Sequence, residues 1–215
     1  MQYIKKFCEL GIDDIAMVGG KNASLGEMYQ QLKQKGIEVP NGFATTSAAY
    51  NLYLEHNNLR EKISLELEQL DINDVDALAI SGAKIRQWIA NGTMPQILVD
   101  EIRTAYKELE EQYEPNVDVA VRSSATAEDL PNASFAGQQE SYLNIRGTQN
   151  LLNTCKQVFA SLFTDRAISY REHQGFVHMD VALSIGIQKM VRSDMQSSGV
   201  MFSIDTETGF KDAVY

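Results

Sequence analysis

The sequence predicts an α+β fold, and three observations carry that expectation. Val117, Val119 and Val121 alternate with Asp118 and Ala120, the period-two pattern of a strand with one buried face. Residues 182–191, ALSIGIQKMV, form an apolar run rich in β-branched side chains, which is a second strand. Between residues 75 and 113 the apolar positions instead repeat at helical spacing, as Leu78, Ala79, Ile85, Ile89 and then Leu98, Ile102, Ala105, Leu109.

The elements follow in order. Tyr3 to Leu10 reads as a short strand, and Asp13 and Asp14 open a turn into Met17-Val18-Gly19-Gly20-Lys21-Asn22. A helix runs on from Asn22, with Leu25, Met28, Tyr29 and Leu32 on one face and Gly36 as its stop. Lys21 then stands at a helix N-terminus, where unpaired N–H groups and the helix dipole favour an anion. The pattern is not a Walker A loop: Ile15 sits where that loop needs its first glycine, and Asn22 where it needs Ser or Thr. By itself GGK is a weak signal that favours an ordinary turn with a solvated lysine.

Val39 to Thr46 reads as a turn and a short strand, with Thr46 capping a helix over residues 48–55 that His56 ends. Residues 59–70, 75–90 and 97–113 are three more helices, Trp88 packing in or at the edge of the core and Glu108, Glu110, Glu111 and Glu114 forming a solvated face. Thr148 is placed as N-cap of a helix bearing Leu151, Leu152, Cys155, Val158, Phe159 and Leu162, and Thr164 or Asp165 caps the next. His173 and His178 flank a turn at Gly175 as surface histidines. Residues 199–205 and 211–215 read as further strands about a turn at 206–209; ending inside one of them gives the expectation that the chain is part of a longer protein.

The composition narrows the function. Across 215 residues, 44% hydrophobic content suffices for a core, and 29 acidic against 19 basic residues leave a formal charge of −10, a surface that repels nucleic acid and acidic membranes. No apolar run has the length of a membrane span and no signal-peptide core follows the N-terminus, so a cytoplasmic protein is expected. Cys8 and Cys155 lie in no C-x-x-C arrangement, which points away from a disulfide scaffold or a zinc site.

The stretch VDVAVRSSATAEDLPNASFAGQQESYLNIRG, residues 117–147, holds the candidate chemistry. Its first strand delivers Arg122, a loop of small hydroxyl and acidic residues follows, Leu130-Pro131-Asn132 reverses the chain, and Gln139 to Ile145 resumes a strand. A planar guanidinium among hydroxyls and small residues suits phosphate oxygens. Composition alone leaves open that Arg122 merely pairs with Glu128 or Asp129. No G-x-S-x-G elbow surrounds Ser123 or Ser124, so a serine nucleophile is disfavoured.

The string VRSSATAEDLPNASFAGQQESYLN, with GGKNASLGEM, VPNGFATT, FASLFTDRAISYR and QKMVRSDMQSSGVMFSID, resembles the nucleotide-binding domain of the pyruvate phosphate dikinase family of PEP-utilising enzymes. Phosphoenolpyruvate synthases and rifampicin phosphotransferases are branches of that family, and the resemblance covers nearly the whole chain. It implies an ATP-grasp-like nucleotide-binding domain with mixed sheets and flanking helices, in two lobes of approximately 1–115 and 116–215, truncated at its C-terminal end. It also implies that Lys21 and Arg122 hold ATP phosphates, with Arg122 stabilising charge in the reaction, that Gly137 and Ser141 line the pocket wall, and that Gln188 lies by the adenosine.

In such enzymes Mg2+ accompanies ATP, and the resemblance puts the metal ligands beyond residue 215. Phosphoryl passes through a histidine on a separate mobile domain, and none of His56, His173 or His178 sits in the threonine-rich double-glycine motif of that histidine. The phosphohistidine and pyruvate-binding domains are therefore expected elsewhere in a full-length, homodimeric enzyme, and this part alone is expected to be inactive. The strings FASLFTDRAISYR and SGVMFSIDTETG fit the synthase branch best. A rifampicin phosphotransferase, or a nucleotide-binding module without catalysis, are the alternatives.

Overall fold

The computed structural model describes residues 2–126, 129–130, 133–134, 140–195, 197–212 and 214. Its centre is a five-stranded sheet. In chain order the elements are β1 (Ile4–Lys6), α1 (Ile15–Lys33), β2 (Gly42–Thr45), α2 (Ser47–His56), α3 (Leu59–Glu68), α4 (Val75–Ala90), α5 (Gln96–Gln112) and β3 (Val119–Ala125). They continue with β4 (Asp129–Leu130), β5 (Ala133–Ser134), β6 (Ser141–Ile145), α6 (Thr148–Ser161), α7 (Asp165–His173) and β7 (Leu183–Lys189).

The sheet order is β1-β2-β7-β3-β6, with β4 and β5 forming a separate two-stranded ladder. Every pairing among the described residues is antiparallel, rather than the mixed sheets the resemblance implies. The sheet draws strands from both sides of residue 115. The β-branched run forms β7, the central strand, and is bonded along its whole length to β3.

One face of the sheet is apolar. Phe43, Val119, Val121, Ala125, Leu183, Ile185 and Ile187 join Tyr50, Tyr53, Leu54, Ile85, Ile89, Leu98, Ile102, Val158 and Phe159 of the helices in one core. The other face is covered by α1 through a small cluster of Phe7, Leu10, Val18, Ala23, Tyr29 and Ala44. Helix periodicity located α4 at both ends and α5 to within a residue, because each carries a continuous apolar stripe.

Several expectations are corrected. The strand at the N-terminus stops at Lys6, and Phe7–Glu9 turn as a 3-10 helix. The buried face of α1 is Asn22, Ala23, Gly26 and Tyr29, while Met28 is exposed: small residues let the helix lie close to the sheet, a contact that a larger apolar stripe would hold off. Gly147 rather than Thr148 occupies the N-cap of α6, and Thr46 holds the cap position of α2 but gives its hydroxyl to the carbonyl of Gln2. Ser123, Ser124 and Ala125 belong to β3 and not to a loop, since partners on β7 extend the ladder through Ala125.

His178 is not a free surface histidine. Arg171, a fully buried guanidinium, donates from Nε to its Nδ1 at 3.0 Å, and Glu172 lies 3.2 Å from Nε2. No strand forms at 199–205, nor among the described residues of 211–215; the turn between them does form, with Gly209 N–H donating to the carbonyl of Asp205 at 2.8 Å. A strand needs a partner ladder, and no described segment supplies one there. No helix is long and apolar enough to cross a membrane.

Candidate functional site

The polar face of the sheet is built by the same alternation that builds the core. In β3 the residues on either side of Arg122 are buried while Arg122 itself is exposed. It pairs in register with Ser141 on β6 and Gly186 on β7, and Ala120, one step along that face, pairs with Gln188. Cross-strand partners share a face, so Arg122, Gly186, Gln188 and Ser141 all project to the side that α1 covers.

The helix brings Lys21 to that side. Gly19 adopts φ 74° and ψ 161° inside α1, a conformation open in practice only to glycine, so one turn ends there and a second helix begins at Gly20. Lys21 therefore lies in the first turn of the restarted helix, with the dipole of the following residues pointing its positive end toward the sheet. A Cβ on Gly19 would stand 2.2 Å from Ser124 Oγ, so the missing side chain also allows close docking on β3.

A cavity of about 420 Å3 opens at this junction, lined by Ile12, Ile15, Gly20, Lys21, Asn22, Ser24, Leu25, Arg122, Ser123, Gly186 and Gln188. Three of the five residues anticipated from sequence, Lys21, Arg122 and Gln188, thus share one cleft although they are spread across 168 positions of chain. Gln188 is fixed by donating from Nε2 to the carbonyl of Pro40 at 3.1 Å. Ser141 is not part of that lining, though it stands opposite Arg122 on the neighbouring strand. Gly137 lies outside the described residues, as does Glu128, and the side chain of Asp129 is likewise not described.

Sequence reasoning missed several contributors. Asn22 counted only as a departure from the Walker pattern, yet it is 2% exposed and hydrogen bonded at the cleft floor. Gly186 breaks an otherwise bulky strand, and that break was the available signal of a close approach. Ile12, Ile15 and Leu25 give the cavity an apolar wall that no local motif announces.

Beside Gln188, Lys189 forms an ion pair with the buried carboxylate of Asp118, which Arg146 also reaches at 3.4 Å. Burial pushes the Asp118 carboxyl up, but the hydrogen bond and charge of Lys189, with Arg146, outweigh it and hold the group below the usual carboxylate range. That clamp ties the end of β7 to the start of β3. Among the described residues the cavity lining contains no carboxylate, and no group of three or more His, Cys, Asp or Glu is placed to hold a metal ion. These residues do not by themselves make a magnesium site.

The arrangement provides an ammonium, a guanidinium and a helix start on one side of a cleft with an apolar wall, a combination suited to a polyanion carrying an apolar group. A family model described as pyruvate phosphate dikinase, AMP/ATP-binding domain, matches residues 15–215. The chain is 55% identical over 215 residues to the phosphoenolpyruvate synthase of Deinococcus radiodurans, covering 100% of this chain and 27% of that protein. It is 57% identical over 216 residues to the phosphoenolpyruvate synthase of Helicobacter pylori, with 100% and 27% covered. Against that of Escherichia coli it is 56% identical over 207 residues, with 96% and 26% covered. The chain spans about a quarter of the length of these relatives. A match from residue 15 to residue 215 takes in the kinked helix and every strand of the sheet except β1, and the chain belongs to the pyruvate phosphate dikinase AMP/ATP-binding domain family.

Proposed function

We propose that this chain is the ATP-binding part of a phosphoenolpyruvate synthase with an ATP-grasp-like fold, in which Lys21 and Arg122 bind the ATP phosphates and Gln188 lies on the adenosine side. The observation that carries this is the meeting of Lys21, Arg122 and Gln188 in one cavity. A triphosphate matches the charge of both cations in the cleft. Ser141, across from Arg122, and Gly137 are proposed for the pocket wall.

Phosphoryl transfer asks the protein for positioning and charge neutralisation more than covalent work. In this reading Lys21 and the start of the restarted helix bind phosphate oxygens, and Arg122 spans the phosphates and neutralises charge as it develops. The overall reaction in this reading takes ATP, pyruvate and water to AMP, phosphoenolpyruvate and phosphate, with phosphoryl passing to pyruvate through a histidine on another domain. Mg2+ would accompany ATP, held by its phosphates and by groups other than the described cavity residues. The full-length protein is proposed to be a cytoplasmic homodimer, and this part alone to be catalytically inactive.

Calorimetry with Mg-ATP on the 215-residue chain tests the reading. Binding by the wild type that is weakened in both Lys21→Ala and Arg122→Ala, with thermal melts little changed, is the expected result. Variants that bind as the wild type does would remove the phosphate assignment. A rifampicin phosphotransferase would give the same calorimetry and differ in its phosphoryl acceptor.

A further inference from the structure

We infer that Asn22 is a positioning residue, a latch that fixes the helix start carrying Lys21 against the strand carrying Arg122. The inference rests on the reading that these two cations hold phosphate. Asn22 is the residue next to Lys21 and is almost fully buried. Its side-chain amide donates to the carbonyl of Val18 at 3.2 Å and to Ser184 Oγ at 2.8 Å. The first bond spans the break at Gly19, tying the turn before it to the helix after it. The second ties that helix to β7.

The latch reaches three strands. Ser184 Oγ in turn donates to the carbonyl of Thr45 on β2 at 2.5 Å, while Thr45 Oγ1 accepts from the N–H of Ile185 at 2.9 Å. The backbone N–H of Asn22 donates to Ser124 Oγ on β3 at 3.4 Å. Gly186 completes the fit, since a Cβ there would stand 2.2 Å from Asn22 Oδ1. Lys21 has a long flexible stem, so a fixed backbone origin narrows the range its ammonium can sample relative to Arg122. In a dry interior each of these bonds is costly to break, which makes the register of α1 on the sheet a single state rather than a sliding contact.

Ser184 separates positioning from direct contact, because it is fully buried and does not line the cavity. In Mg-ATP calorimetry, well below the melting temperature of each protein, Asn22→Ala and Ser184→Ala should each bind about tenfold more weakly than wild type. Ser161→Ala, which removes a buried hydroxyl bonded to the carbonyl of Val158 remote from the cleft, should melt earlier without losing affinity. Adding Ser184→Ala to Lys21→Ala should cost clearly less than it does in the wild type, because the latch acts through Lys21 and the helix start that carries it. Wild-type affinity in Ser184→Ala, or an additive loss in the double variant, overturns the latch while leaving the phosphate reading intact if Lys21→Ala and Arg122→Ala are weakened. Wild-type affinity in those two variants, or failure of the full-length wild-type protein to bind, overturns both.

Discussion

The two faces of the five-stranded sheet are made by alternate residues of the same strands, and they do different work. On the helix-packed face Val121, Ile185, Ile187 and Phe43 are essentially inaccessible, and their value lies in apolar area removed from water. On the face beneath α1 stand Arg122, Ser124, Ser184, Gly186 and Gln188, where side chains are small, polar or charged. Burial there is used to hold a helix close, and the space left over becomes the cleft. The difference teaches that stability and chemistry in this domain are separated by a single residue step along β3 and β7, so substitutions one position apart should fail in opposite ways.

The largest effect is expected from the apolar face. Ile185→Ala should lower unfolding free energy by about 2–5 kcal/mol, the usual cost of emptying a packed core site. Chemical denaturation measures it, and Mg-ATP affinity of the remaining folded protein should match the wild type. Lost affinity without lost stability would break the division of labour between the faces.

Gly19→Ala attacks the boundary. The substitution forces an L side chain into a glycine-only conformation, costing about 1–3 kcal/mol, and drives a Cβ into Ser124. Both stability and Mg-ATP binding should fall, since the kink supports the core contact of Val18 and the placement of Lys21 together. A variant as stable as wild type would mean that the turn at Gly19 is not what seats the helix.

Arg122→Ala is the counterpart of Ile185→Ala on the polar face. Removing one charge-assisted contact should weaken Mg-ATP by about 1.5–3 kcal/mol, an order of magnitude or more in affinity. Because Arg122 is exposed, its melting temperature should move little. A variant that binds normally but melts early would recast Arg122 as a structural residue.

The apolar face was readable from the amino-acid string, because hydrophobic period two at Val117, Val119 and Val121 and helical period at α4 and α5 are one-dimensional signals. Residue chemistry made Arg122 and Lys21 candidates for a phosphate and the resemblance favoured that reading; their shared cleft arises from long-range pairing of β3 with β7 and the docking of α1, which local pattern does not encode. Asn22 and Gly186 escaped for the same reason: a buried amide and a strand glycine acquire meaning only when the helix crosses the strand. Residues 199–205 misled in the other direction, since an apolar run supplies the side chains of a strand but not its hydrogen-bonding partner.

The helix side is not wholly apolar, and the exception gives the smallest prediction. Arg171 is buried there with its pKa lowered to about 10 by burial, donating to the carbonyl of Leu162 at 2.6 Å and to His178 Nδ1. Since Nδ1 accepts, the neutral ring carries its proton on Nε2, facing Glu172. Burial, then the nearby Arg171 charge, push the His178 pKa down, and Glu172 only partly restores it. A base depressed on folding binds fewer protons than it does unfolded, so its contribution is present above the unfolded value near 6.5 and drains as pH falls below it, with a slope of at most about 1.4 kcal/mol per pH unit. His178→Gln keeps an acceptor for Arg171 and a donor for Glu172 but cannot titrate. Its melting temperature should therefore drop less between pH 7.5 and pH 5.5 than that of the wild type, at about 2–4 °C per kcal/mol for a chain of this length. Parallel profiles would mean that His178 accepts its second proton as readily in the folded protein as in the unfolded chain, and that the buried Arg171 imposes no charge constraint on the helix layer.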